Sequence, residues 1–272
     1  MVPVVILAGG GGTRMGEVGK MIPKFLLPVN GEILLMRTLR QAIEKQYDNI
    51  IICTRLEYVD KINSLVSHLG HDNGVIKIKY ANETSLFESL KSLGEDLINI
   101  DEFVLVLGDI YYVDNPFVDL PTNISFGDVL VGKTVPKYSL EFRLGGVVET
   151  DSLGKVMRVV KKPSMAISQG TRWSGMSLCG KNFFDDLRGL SDKIDVSLFS
   201  LEDIFDYRNS KYHSSTVIDK IEFVNINSSL HHVYANLLAL GTTSEIDDKV
   251  KSVSLMCAGE IKELILRNGH QL

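Results

Sequence analysis

Through the first 110 residues, apolar runs of four to eight residues alternate with stretches in which apolar positions recur at spacings of three and four. The runs at residues 4–7, 49–54, 75–80 and 103–107 read as strands, the last rich in Val and Leu as a strand buried on both faces should be. Between them, Leu34, Leu35, Thr38, Leu39 and Ala42 share one face of a helix expected over residues 33–45. Val59, Ile62, Leu65, Val66 and Leu69 mark a second helix, and Leu86, Leu90, Leu93 and Leu97 a third. Strand and helix alternating in this order predict an α/β fold of Rossmann-like type, with a mixed, mostly parallel sheet flanked by helices. In such a sheet a ligand sits beyond the carboxyl ends of the strands.

The second half changes character. Residues 142–149 and 155–161 read as strands joined by a turn with Asp151 and Gly154, an insertion of β structure into the α/β frame. Short helices follow at 182–187 and 201–207, then a strand pair near 216–219 and 222–226. A helix is expected over 228–240, with Ser228 as its N-cap and Gly241 as its stop. From 245 to 267, Ile246, Val250, Val253, Cys257, Ile261 and Leu264 form one helical stripe that can pack on its own domain or on a second copy.

At 272 residues, with 44% hydrophobic and 23% charged positions, the composition is that of an ordinary folded protein. No apolar stretch approaches the roughly 20 residues that span a bilayer, and Met1 leads into a strand-like run without a basic segment, so a cytoplasmic location without membrane contact is expected. Cys53, Cys179 and Cys257 are widely spaced and signal neither disulfides nor zinc. A net charge of −5 argues against a general nucleic-acid partner.

The first strand breaks into Gly9, Gly10, Gly11 and Gly12, a loop whose exposed backbone N–H groups could surround an anion. The Walker pattern fails because Gly19-Lys20 is followed by Met21 and Arg14 stands where its first glycine belongs. The dinucleotide pattern fails because no three glycines have its spacing. What remains is "LAGGGGTRM" with "PKFLLPVNG" beyond it. This resembles the signature of the sugar-1-phosphate nucleotidyltransferase family, the nucleoside-diphosphate-sugar pyrophosphorylases, through Gly9, Gly10, Gly12, Thr13, Arg14, Met15, Pro23, Lys24, Leu26, Leu27, Pro28 and Val29.

The resemblance implies a GT-A-like nucleotidyltransferase fold over residues 1–244, β insertions serving the acceptor, and a helical extension over 245–272. It implies transfer of a nucleotidyl group from a nucleoside triphosphate to a sugar-1-phosphate, in the setting of cell-envelope or capsule precursor synthesis. Leu7, Ala8, the four glycines and Thr13 would hold the nucleotide. Arg14 would grip the β- and γ-phosphates, and Lys24 would touch the α-phosphate and the incoming phosphate. Asp109, after Gly108 in "VLGDIYY", looks like the family's Mg²⁺ ligand; Asp114 is an alternative. Asn225, in "FVNINSS", stands where many members place a second metal-binding Asp. Gly146, Lys161 and Lys162 in the "GGVVETDSLGKVMRVVKKP" stretch, with Ser174 and Gly175 in "RWSGMSL", would line the acceptor site.

Three departures bear on substrate. Lys161 occupies the place of a sugar-binding glutamate, Ser174 that of a common Asn, and "NETSLFESL" replaces a small-residue stretch beside the base. In the last, Glu83 keeps an approximate nucleotide-binding place, while Phe87 and Glu88 would narrow or redefine the pocket. These departures leave open a non-sugar acceptor such as phosphocholine. A catalytically weak, nucleotide-binding regulatory homologue is the other alternative, against which Arg14, Lys24, Asp109 and Lys162 all speak. His231 and His232 read as ordinary helix-surface residues.

Overall fold

The computed structural model describes residues 2–10, 12, 15, 19, 21–68, 74–81, 85–97, 99–117, 120–136, 146–152, 155–161, 169–219 and 221–240. The first four expected strands form, β1 (Val4–Ala8), β4 (Ile50–Arg55), β5 (Ile76–Ala81) and β6 (Phe103–Leu107), with a two-stranded ladder of β2 (Pro28–Val29) and β3 (Glu32–Ile33) between the first two. The four expected strands pair in parallel in the order β6-β1-β4-β5. Successive side chains point to opposite faces, and both faces of β1, β4 and β6 are covered, which is why those three runs are mostly apolar, whereas β5 at the sheet edge alternates Ile76 and Ile78 with Lys77 and Lys79. On one face Val5, Ile51 and Leu105 meet Phe87, Leu90 and Leu93 of α3 (Leu86–Leu93). On the other, Val4, Ile6, Ile50, Ile52, Val104 and Val106 meet Leu35, Leu39 and Ala42 of α1 (Leu34–Glu44) and Ile62 of α2 (Val59–Ser67). The expected mixed sheet flanked by helices is therefore present.

An antiparallel wing extends the sheet beyond β6. Its spine is β11 (Gln169–Cys179), which pairs with β6 and also with β8 (Val129–Pro136) and β9 (Val147–Thr150). β9 in turn pairs with β10 (Val156–Val160) across the turn where the Asp151 carboxylate accepts from Lys155 N at 2.9 Å. Helices α4 (Phe183–Ser191) and α5 (Leu201–Tyr212) cover the same face as α3. The α5 start is a capping box, Ser200 with Asp203, matching a helix longer than the seven residues expected from periodicity.

Three expectations need correction. The third helix ends at Leu93, although Leu97 is buried in the same core beyond it. The two late strands do not pair with each other: β12 (Thr216–Asp219) runs parallel to β8, and β13 (Phe223–Asn225) runs antiparallel to β7 (Ile110–Tyr112). The expected pair does not form because β12 joins the main sheet beside β8, while β13 and β7 make a separate two-stranded sheet. Phe87 does not narrow a pocket; it packs edge-on to Phe199 at 5.5 Å inside the core. The last helix, α6 (Ser229–Ala239), has Ser228 as N-cap as expected, its hydroxyl accepting from His231 N at 3.3 Å. Gly241 and the 245–272 stripe lie outside the described residues.

Candidate active site

The carboxyl ends of β1, β4 and β6 open onto a cleft of about 280 Å³. It is lined by Leu7, Ala8, Gly9, Gly10, Lys24 and Asp109, and by Phe25, Cys53, Thr54, Arg55, Leu86, Ser89 and Leu107. Six residues that the sequence singled out are thus brought together where a parallel sheet places its ligand. Gly108, one residue from Asp109, sits so close to β1 that an added Cβ would lie 3.1 Å from the Leu7 carbonyl oxygen. Glycine there lets the β6 end lie against β1 and bring Asp109 to the cleft.

The glycines of the loop divide by role. Among the described residues, a Cβ on Gly10 would meet nothing within 4 Å, and one on Gly9 would meet only the Arg55 Cγ at 3.8 Å. Packing within the protein therefore does not require glycine at either position; a backbone that must be approached closely by a ligand does. Gly12 is different. Its φ of +61° is left-handed, and its backbone lies against Gly19, where a Cβ would be 2.1 Å from the Gly12 carbonyl oxygen. Gly11, Thr13 and Arg14 lie outside the described residues, as do Glu83 and Lys162.

Lys24 follows Pro23 in a single 3-10 turn, Lys24–Leu26, whose Phe25 is buried against Tyr58. The turn drives the lysine inward. Its amine donates to the Asn227 side-chain oxygen at 3.0 Å and lies 3.4 Å from the Asp109 carboxylate, with the Lys24 side chain only 6% exposed and that of Asp109 27%. Burying an ammonium is costly unless it is paired, and both of these oxygens help to compensate it. Asn227 was missed by sequence reasoning, which stopped at Asn225 two residues earlier. Its signal is its place in "NINSS", just before the Ser228 cap that starts α6.

Asn225 lies opposite Ile110 in the β13–β7 ladder, next to Asp109, and the Asp109 carbonyl accepts from Ile226 N at 3.3 Å. The Asn225 side-chain oxygen is buried without a hydrogen-bond partner. A buried oxygen left without a partner is a donor of the hard type that Mg²⁺ takes, and it sits on the strand that pairs just past Asp109. Among the described residues no group of three or more His, Cys, Asp and Glu gathers.

The expected acceptor residues stand apart from the cleft lining. Ser174 and Gly175 form a bulge in β11, between the Trp173–Gly132 and Met176–Val131 pairs. Gly175 takes φ +79°, and a Cβ there would be 2.9 Å from a Leu107 methyl. Ser174 is fully buried; its carbonyl accepts from the Tyr112 hydroxyl at 3.0 Å, tying the bulge to the strand that follows Asp109. Gly146 packs on Glu202, and its carbonyl accepts from Trp173 N at 2.9 Å. Lys161 is exposed just past β10. His231 and His232 are half-buried rather than on the surface, and His232 holds α6 to the Pro28 carbonyl at 2.6 Å. On the far wall, burial pushes the Cys53 thiol up to about 11, so it is neutral at physiological pH.

Known proteins agree with this geometry. Residues 4–122 match the model of the MobA-like NTP transferase domain. A Sulfolobus acidocaldarius protein, provisionally named a mannose-1-phosphate guanyltransferase, is 26% identical over 193 residues, covering 70% of this chain and 52% of its own. The chain thus spans about half the length of that relative. The 2-C-methyl-D-erythritol 4-phosphate cytidylyltransferase of Thermosipho africanus is 28% identical over 187 residues, 68% of this chain and 77% of its own. A solved Bacillus anthracis structure, provisionally named a glucose-1-phosphate thymidylyltransferase and holding sucrose, superposes with a TM-score of 0.74 at 20% identity, over 89% of this chain and 97% of that one. Among the described residues no helix is long and apolar enough to cross a membrane. The resemblance carried by the glycine loop is therefore borne out: residues 4–122 match the MobA-like NTP transferase domain, the relatives are named as nucleotidyltransferases, and the fold is that of the Bacillus anthracis structure.

Proposed function

We propose that the protein transfers a nucleotidyl group from a nucleoside triphosphate to a sugar-1-phosphate, releasing pyrophosphate, in the cytoplasm. The observation that carries this reading is the buried Lys24 amine, beside Asp109 and Asn227, at the end of a cleft walled by the open Gly9 and Gly10. An acceptor phosphate oxygen attacks the α-phosphorus, the bond to the bridging oxygen of the β-phosphate breaks, and that oxygen leaves with its electron pair as pyrophosphate. Negative charge grows on the equatorial and leaving oxygens. A fixed ammonium aimed at that place stabilises it without reorganisation.

The backbone of Leu7, Ala8 and Gly9 to Thr13 holds the nucleotide in this reading, with Glu83 and Gly108 beside it and Arg14 on the terminal phosphates. Asp109 and Asn225 would hold Mg²⁺, which supplies charge screening of the phosphates when bound. Gly146, Lys161, Lys162, Ser174 and Gly175 shape the acceptor side, with residues 1–244 as the transferase domain and 245–272 as a helical extension. Asn236 of α6 accepts from Asn30 N at 2.8 Å, tying the last described helix to the turn after the loop and supporting the domain's extent. A phosphorylated alcohol other than a sugar is the second reading. It is favoured by the positive Lys161 and by the Thermosipho relative's name.

Pyrophosphate release measured with Mg²⁺ for each common nucleoside triphosphate, against sugar-1-phosphates and against alcohol phosphates, tests both. Release with one sugar-1-phosphate is expected. Release only with an alcohol phosphate would select the second reading, and none with any pair would sink both.

A further inference from the structure

The cleft has two unlike ends. Lys24 and Asp109 mark the charged end, while Cys53, Thr54 and Arg55 at the end of β4, with Leu86 and Ser89 of α3, wall the other. At that second end most polar side chains already have partners inside the protein. The Thr54 hydroxyl donates to the Ala8 carbonyl at 2.8 Å, and the Ser89 hydroxyl to the Ser85 carbonyl at 3.0 Å. Cys53 is a buried, neutral thiol near the Ser89 carbonyl. Arg55 differs: its stem lies beside Gly9, its side chain is 30% exposed, and its guanidinium faces a carboxylate at 3.6 Å, from Glu57. That distance is an ion pair without a good hydrogen bond.

We infer that Arg55 selects the nucleobase, favouring one whose edge presents two adjacent acceptors. The inference rests on the proposed nucleotide site, and it adds what that reading leaves open. A nucleotide whose phosphates reach Lys24 across Gly9 and Gly10 directs its base toward the β4 end. There the planar fork of a guanidinium offers donors only. Guanine, through O6 and N7, and cytosine, through O2 and N3, can accept two bonds from it. Adenine presents its N6 amino group beside N7, so a donor-only side chain meets one acceptor and one donor. Uracil and thymine place an N–H between their oxygens and accept one bond. Purine and pyrimidine are alternative ligands of the same fork.

Equilibrium binding of GTP, CTP, UTP, dTTP and ATP to the full chain, by calorimetry, tests this. The wild type should bind GTP or CTP at least about tenfold more tightly than ATP, the size of one good bidentate contact. In Arg55→Gln and Arg55→Lys, which lose the fork at a partly exposed position, the preference should shrink to within about threefold. Lys24→Met should instead weaken all five alike and keep the order. A wild type that binds every nucleotide without preference, or prefers ATP, overturns the inference while leaving the nucleotide site standing. So does a preference that survives in both Arg55 variants. Binding of no nucleotide at all would overturn the proposed function and this inference with it.

Discussion

The buried clusters around Lys24 and Arg208 are built to opposite rules. Around Lys24, an ammonium meets Asp109 at 3.4 Å and Asn227 at 3.0 Å on the edge of an open cleft. Around Arg208 of α5, the guanidinium is saturated. Its Nε donates to Asp128 at 2.9 Å, Nη1 to Asp186, and Nη2 to the carbonyls of Phe126, Gly180 and Lys181. Arg208 and Asp128 have no exposed side-chain surface at all. Asp128 also accepts from Gly180 N, and Asp186 from Lys211 and the Tyr212 hydroxyl. A charge cluster with every guanidinium nitrogen bonded inside the protein holds elements together, here α4, α5 and the segment entering β8. The Lys24 cluster instead borders the cleft. Burial of a charge therefore does not mark a site; burial together with an opening does.

The largest effect should come from breaking the saturated cluster. Arg208→Met would leave Asp128 buried with its charge uncompensated, and a loss of about 3–5 kcal/mol of stability is expected in urea unfolding. Adding Asp128→Asn to that variant should recover part of the loss, because the stranded charge is then gone. If Arg208→Met melts like the wild type, the cluster does not hold these elements. Lys24→Met should do the reverse. Turnover measured by pyrophosphate release should fall about 10²- to 10³-fold, the size of removing one fixed donor from a developing anion, while urea unfolding changes little. Near-normal turnover in Lys24→Met would remove the lysine from the site.

How far the sequence foretold these two clusters follows from what local patterns encode. Most of the parallel strands were legible because burial on both faces leaves an apolar run, and Gly9, Gly10, Lys24 and Asp109 because they match the signature that the resemblance rests on; the fold then brings them to one cleft. The β11 spine was not legible. Its run, "QGTRWSGMSLC", is broken by the Ser174–Gly175 bulge, so neither period two nor a continuous apolar stretch appears. Arg208 was invisible for another reason. Its partners Asp128 and Asp186 are 80 and 22 residues away, and no spacing rule joins them. Asn227, 203 residues from Lys24, escaped in the same way, since only the fold makes them neighbours.

Asn227 supplies the next test. Asn227→Ala removes one oxygen from a buried ammonium, so the amine should be held less well rather than lost. Turnover should fall about tenfold, the scale of one hydrogen bond to a charged group, through kcat more than KM. Asn227→Asp keeps an acceptor of the same shape and should restore more of the rate than Ala. If the two variants are equally impaired, the residue acts by packing.

The smallest effect separates Asn227 from the helix it precedes. Ser228→Ala deletes the hydroxyl that accepts from His231 N at the start of α6, and should cost about 1 kcal/mol in urea unfolding. The turn before the cap is pinned independently, by Ile226 N on the Asp109 carbonyl at 3.3 Å and Asn227 N on the Asn225 carbonyl at 2.9 Å. With those bonds intact, the Asn227 oxygen should stay on the Lys24 amine and turnover should stay within about threefold of normal, a change of under 1 kcal/mol in the barrier. If Ser228→Ala slows turnover as much as Asn227→Ala, the helix start and not the strand-end turn sets the lysine's position. The open cluster would then share the rule of the saturated one, its geometry held by secondary structure packed around it.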